Sequence, residues 1–189
     1  MKPRIFAIHL LNDFSGSPKV LSQLVRSWQD AGLPVSLVIN KASDGFLSGL
    51  ACQYLYHDSY FIQNKWLRLL MLCYSQLKLM IQLSKSITKN DIVYVNTVLP
   101  FGGALAGKWK GAKVIYHIHE TSIKPPILKK LLFSIAKYTA SETIFVSKYL
   151  ANKERMPKVT SHVLYNALPA HFAEVTPSHA NTPKHVLMV

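Results

Sequence analysis

"RIFAIHLLNDFSGSPKVLSQLVRSW", residues 4–28, runs from an apolar stretch through a polar loop into an amphipathic segment. The apolar part, Arg4–Leu11, reads as a strand covered on both faces, because a half-exposed strand would alternate apolar with polar. Pro18 suits the first position of a helix, where its missing N–H costs nothing. Beyond it Val20, Leu21, Leu24, Val25 and Trp28 recur at helical spacing. "AGLP" (Ala31–Pro34) stops that helix, and "VSLVIN" (Val35–Asn40) is a second buried strand. Strand, helix and strand in this order make a βαβ unit, whose strands run parallel.

The alternation continues along the chain. "CQYLYH" (Cys52–His57) is a third strand. A long helix is expected from about residue 63 to 86, with Trp66, Leu69, Leu70, Cys73, Leu77, Met80 and Ile81 as its core stripe. "DIVYVN" (Asp91–Asn96), "KVIYHIH" (Lys113–His119), "ETIFVS" (Glu142–Ser147) and "SHVLYN" (Ser161–Asn166) are further strands. A short helix follows "TVLPFGG", and "PPILKKLLFSIAKY" gives another. The expected fold class is α/β, a doubly wound Rossmann-like parallel sheet with helices on both faces. Residues 1–167 form this domain. Residues 168–184, "LPAHFAEVTPSHANTPK", are Pro-rich and polar and read as a linker. Residues 185–189, "HVLMV", read as the start of another buried strand, and so of a second domain.

The totals fit a folded domain: 189 residues, 49% of them hydrophobic. Lys and Arg number 22 against 9 Asp and Glu, a formal charge of +13. Such an excess favours an anionic partner: a membrane surface, a nucleic acid or a phosphorylated substrate. Cys52 and Cys73 sit in no metal-binding spacing and are expected to be buried free thiols of a reducing cytoplasm. The N-terminus is basic, then apolar, but His9 interrupts it and no small-residue cleavage site follows, so it reads as a strand rather than a signal peptide. No stretch approaches the ~20 apolar residues that span a bilayer.

In a doubly wound sheet ligands bind beyond the carboxyl ends of the strands. Past the first strand, Gly16 lets a ligand approach the backbone. The following helix points its free N–H groups at that space, which suits a phosphate or a sugar hydroxyl as well as it suits a plain turn. No G-x-G-x-x-G motif is present and the second strand ends in Asn40 rather than an acid, which argues against a dinucleotide. Past the fourth strand Asn96 and Thr97 offer short polar side chains. Past the fifth, "YHIHE" places His117 and His119 on one face. An H-x-H pair could bind zinc, but no third and fourth ligands show a matching spacing. His119, with Glu120 beside it, is the candidate hydrogen-bonding or proton-handling group, and His117 the candidate structural one. Past the sixth strand Ser147 caps a helix and Lys148 is placed to meet a phosphate or solvent.

Together these pieces resemble the N-terminal domain of GT-B glycosyltransferases of the group 1, or family 4, type. "SGSPKVLSQLVRSW" resembles that family's Gly-Gly loop and first helix, with Gly16 at the first glycine and Ser17 in place of the second. "YHIHE" resembles its strand ending in His-Asp or His-Glu, which makes His119 the catalytic candidate. "ETIFVSKYLA" is similar to the segment with its strand-end serine, here Ser147. "VLYNALP" resembles its strand before Asn-Gly and the interdomain linker, with Ala167 replacing the glycine. The resemblance implies the acceptor-binding half of a retaining enzyme. That enzyme moves a sugar from a UDP- or GDP-sugar to a glycan or lipid-linked acceptor with no metal and no further cofactor. Gly16, Ser17, Asn96, Thr97, Glu120, Ser147 and Lys148 would then contact donor phosphate or acceptor. The glutamate pair of the family's second domain would lie beyond Val189.

Neither 59–90 nor 121–141 contains an acidic residue. Lys65, Arg68 and Lys78 in the first, and Lys129 and Lys130 in the second, lie among aliphatics. Such helices can rest in a membrane interface or be buried with snorkelling lysines. The first option puts the domain on the cytoplasmic face of a membrane. Nucleic acid fits less well, because the basic residues interleave with aliphatics rather than with stacking aromatics. A stand-alone basic module that binds a membrane surface or a partner without catalysis is the alternative function.

Overall fold

The computed structural model describes residues 2–41, 44–58, 63–120 and 122–166. The expected linker and the strand at 185–189 lie outside them. Seven strands form one sheet in the order β3-β2-β1-β4-β5-β6-β7. They are β1 (Ile5–Ile8), β2 (Val35–Asn40), β3 (Gln53–His57), β4 (Ile92–Asn96), β5 (Lys113–Ile118), β6 (Glu142–Phe145) and β7 (Thr160–Val163), and all pair in parallel. The helices are α1 (Gly16–Asp30), α2 (Lys65–Ser84), α3 (Phe101–Trp109), α4 (Pro126–Thr139) and α5 (Lys148–Lys153). This is the expected α/β Rossmann-like sheet.

Every residue of β1 and β2 is buried, as the unbroken apolar run of β1 and the largely apolar β2 require. Strand pleating sends alternate residues to two cores. Phe6, Ile8, Val93 and Val95 pack with Leu79 and Leu83 of α2, Ala104 of α3, and Leu132 and Ala136 of α4. Ile5, Ala7, Leu37 and Ile39 pack with Leu21 and Val25 of α1, on the other face. From β1 the chain moves outward to β2 and β3. It then crosses back through α2 to β4, on the far side of β1. The β1–β4 boundary is therefore the topological switch point, where the crevice opens.

The third helix has no N-cap side chain of its own. Gln76 of α2 supplies one, because its buried Oε1 accepts from Gly102 N at 2.9 Å. Only glycine permits this approach: a Cβ at Gly102 would stand 2.1 Å from the Gln76 carbonyl oxygen. Gly102 and Gly103 thus lie inside the first turn of α3 and seat it against α2 and β1.

Two expectations are corrected here. The stripe assigned to the core of α2 mostly faces outward: Trp66, Leu70, Cys73, Leu77 and Ile81 are exposed. The buried side carries Ser75, Gln76, Leu79 and Leu83 instead. Both sides of α2 are apolar, and Gln76 is drawn inward by the end of α3. The two cysteines are free, as expected, but Cys73 is exposed and Cys52 only half-buried. The first rides the outward side of α2, which explains why it is not in the core.

Gly102→Ala is expected to destabilise the fold by about 3 kcal/mol through overpacking against backbone. Gly16→Ala meets no atom within 4 Å and should leave the melting temperature unchanged. Thermal denaturation of the two variants checks both.

Candidate functional site

The carboxyl ends of β1, β4 and β5 are neighbours in the sheet, and the start of α1 lies over them. Residue register does the rest: Asn96 stands directly opposite His117. Asn96 is fully buried. Its Nδ2 donates to the Ser17 carbonyl at 3.0 Å, which fixes the orientation of the amide. Its Oδ1 then accepts from His119 Nε2 at 2.9 Å. The same amide nitrogen lies 3.1 Å from His9 Nδ1, which is also 3.2 Å from the Asn96 carbonyl oxygen. One side chain therefore ties together α1, β1 and the end of β5.

This network sets the state of His119. Its Nε2 carries the proton, so a neutral ring presents an unshared pair on Nδ1. Burial first, and then the neighbouring His117 and His9, lower its pKa to about 3. His117 packs against it with ring centroids 4.2 Å apart. Burial alone lowers His117 to about 4. Tyr94, whose phenol is pushed up by burial, shares a hydrogen bond with His117 Nδ1 at 2.8 Å. The Nε2 of His117 is left without a hydrogen-bond partner among the described residues. His9 is likewise lowered by burial. Three imidazoles are thus held neutral side by side.

Glu120 is occupied differently. One carboxylate oxygen accepts from Val98 N and the other from His119 N, both at 3.2 Å. It clamps the β4–α3 loop to the end of β5, while burial pushes its carboxyl up. Thr97 lies between Asn96 and that clamp with a left-handed φ of 74°. A β-branched residue in that region is strained, and such strain concentrates where the surrounding structure must hold a fixed shape.

The first helix begins at Gly16 with no side-chain cap and no acid in its first turn. Its leading N–H groups are open to a ligand at the mouth of the crevice. Asp13 stands just before it, accepting from Ser15 N at 2.9 Å, and these bonds hold its carboxyl below the ordinary range. Ser147 caps α5 by accepting from Leu150 N at 3.2 Å, and Lys148 is exposed beside it.

The structure therefore brings together Gly16, Ser17, Asn96, Thr97, His119 and Glu120. Ser17 contributes a backbone carbonyl, and Asn96 faces the protein rather than open space. Ser147 and Lys148 sit past β6, one strand further along. Of the basic residues, Lys78 pairs with Asp58 and Lys129 with Glu154, the latter at 2.5 Å, so Lys129 ties α4 to α5. Lys130 and Arg68 are exposed, and the side chain of Lys65 lies outside the described part. No group of three or more His, Cys, Asp or Glu able to hold a metal occurs among the described residues. Reading the sequence missed His9 and Tyr94. His9 follows β1 immediately, but a first strand drawn through to Leu11 hid that position.

No protein-family model matches the chain, and no curated protein matches it. Solved structures do. Anabaena HepE, in complex with UDP and glucose, matches with a TM-score of 0.62 at 17% identity, over 88% of this chain and 45% of that one. Acinetobacter baumannii MurG matches at 0.59 and 12% identity, over 86% of this chain and 45% of its own. A putative UDP-N-acetylglucosamine 2-epimerase from Listeria monocytogenes matches at 0.59 and 14%, over 82% and 41%. The chain spans less than half the length of each. The fold is that of one domain of GT-B proteins.

At pH 6, nitrogen NMR of the imidazoles is expected to show His117 and His119 neutral, with His119 protonated on Nε2. An imidazolium signal from either would contradict the network. Burial holds both below the ordinary 6.5, so on acidification the unfolded chain takes up protons before the folded one. Their share of stability is complete above about pH 6.5 and is lost as pH falls toward about 4. Melting temperature should fall across that window, and less steeply in His119→Gln.

Proposed function

We propose that this chain is the acceptor-side half of a retaining GT-B glycosyltransferase of the group 1 type. The complete enzyme would move a sugar from a UDP- or GDP-sugar to a hydroxyl of a glycan or lipid-linked acceptor, on the cytoplasmic face of a membrane. In this reading residues 1–167 are the acceptor domain, 168–184 the linker and 185–189 the entry to a donor-binding domain.

One observation carries the proposal: a neutral His119, fixed in ring orientation and tautomer by Asn96, at the switch-point crevice beside the open start of α1. A histidine with a pKa of about 3 is too weak a base to take a proton from a sugar hydroxyl at neutral pH. It is well suited to accept a hydrogen bond from one at Nδ1, and so to fix the angle of a reacting sugar. The proton of the attacking hydroxyl then passes to the departing diphosphate oxygen, the base that the reaction itself supplies. The Asp13 carboxylate beside the start of α1 repels a phosphate and leaves the α1 N–H groups to acceptor hydroxyls. In this reading Lys148, exposed at the start of α5 past β6, would meet the donor diphosphate, beside the Ser147 that caps that helix. The complex of HepE with UDP and glucose supports a nucleotide-sugar as the donor.

A polypeptide continued past Val189 along its gene is expected to release or transfer sugar from UDP- or GDP-sugars. His119→Ala should lower kcat/KM by about 100-fold, since positioned hydrogen bonds at a reacting centre contribute on that order. His119→Asn should recover part of the loss. A protein that turns over no nucleotide-sugar refutes the proposal.

A further inference from the structure

We propose that the outward stripe of α2 is a docking surface for an anionic lipid bilayer. Trp66, Leu70, Leu77 and Ile81 are 78%, 65%, 56% and 53% exposed. They fall on one side of the helix, opposite the Leu79 and Leu83 that it buries. A row of large apolar side chains in water is unfavourable, and on a folded domain it marks a surface that something covers. A second row lies on the same side of the sheet, where α4 exposes Ile127, Leu131 and Tyr138.

Charge identifies the cover. No acid occurs anywhere in 59–90 or 121–141. Lys85 lines a shallow groove with Tyr74, Leu77, Ile81 and Gln82, and Lys78, paired with Asp58, stands at its rim. Apolar and aromatic side chains bordered by ammonium groups match the acyl boundary and headgroups of an anionic leaflet. A second copy of this chain carries the same formal charge of +13, and like charges oppose its docking. No helix of the described residues is long and apolar enough to cross a membrane, so α2 would lie on the bilayer. This surface supplies the membrane contact that the transferase proposal calls for, and rests on that proposal only for the identity of the acceptor.

The test is co-sedimentation of the 189-residue chain with phosphatidylglycerol or phosphatidylcholine vesicles. Binding is expected to be about tenfold or more tighter to phosphatidylglycerol, and to weaken as salt is raised. The double variant Leu70→Glu/Leu77→Glu should reduce it by about tenfold or more. Its circular dichroism melt should match the parent's, because both side chains point into solvent. Leu70→Ala/Leu77→Ala, which adds no charge, should fall between the two. Equal binding by all three proteins, or none to either vesicle, overturns the proposal. So does a dimer in sedimentation equilibrium that the glutamate variant dissolves, since a second copy would then be the occupant. Bilayer binding by this chain with no sugar transfer by the longer polypeptide keeps this surface and removes the transferase reading; transfer by the longer polypeptide without bilayer binding does the reverse.

Discussion

A buried primary amide must satisfy two N–H groups and an oxygen or lose several kcal/mol to desolvation. Asn96 meets three separate pieces of chain: it donates to the Ser17 carbonyl of α1, accepts from His119 after β5, and lies 3.1 Å from His9 Nδ1 after β1. The arrangement exists only because the chain reverses direction between β1 and β4, which makes those strands neighbours. It depends equally on register. Asn96 pairs with His117, and His119, two residues on, falls on the same face. A slip of one residue would turn all of them to the opposite side of the sheet.

The opposite face is organised by close approach rather than by polar bonds. Glycines let α3 sink against β1, β4 and β5, and a buried glutamine of α2 closes its exposed end. With α3 so deep, α2 and α4 are the helices that meet the outside on this face. The inward side of α2 is filled by contacts to α3 and the sheet, so its second apolar side has nowhere to go but outward. A chemistry-bearing face and a sticky face thus belong to opposite sides of one sheet, and neither interferes with the packing of the other.

The sheet, the order of elements and the crevice were readable in the sequence because β1, β2 and β4 carry long apolar runs and the intervening helices are well spaced. His119 and Gly16 were readable because they stand just past strand ends. The role of Asn96 was not. A short polar residue at a strand end looks the same whether it faces ligand or protein, and only three-dimensional neighbours decide. The inward face of α2 was misread for a related reason. Periodicity finds an apolar stripe, but a helix with two offers no sequence signal for which one is buried. Ser75 and Gln76 on the true inner side look solvent-facing until the end of α3 is placed against them.

Fold alone does not separate the proposed transfer from epimerisation, since a putative epimerase matches this chain about as well as MurG does. The proposed transfer asks this site for orientation rather than for a base. Inverting a carbon centre through its C–H bond calls for a base able to hold a proton drawn from carbon. Here His119 has a pKa of about 3, and both oxygens of Glu120 are occupied by backbone N–H groups. His119 is too weak a base for that step, and Glu120 is engaged in clamping the β4–α3 loop to the end of β5. A neutral imidazole locked in one tautomer beside open helix N–H groups offers orientation instead. In the proposed transfer orientation is what the hydroxyl needs, since its proton leaves with the diphosphate, and Thr97, at a left-handed φ of 74°, sits between Asn96 and the Glu120 clamp.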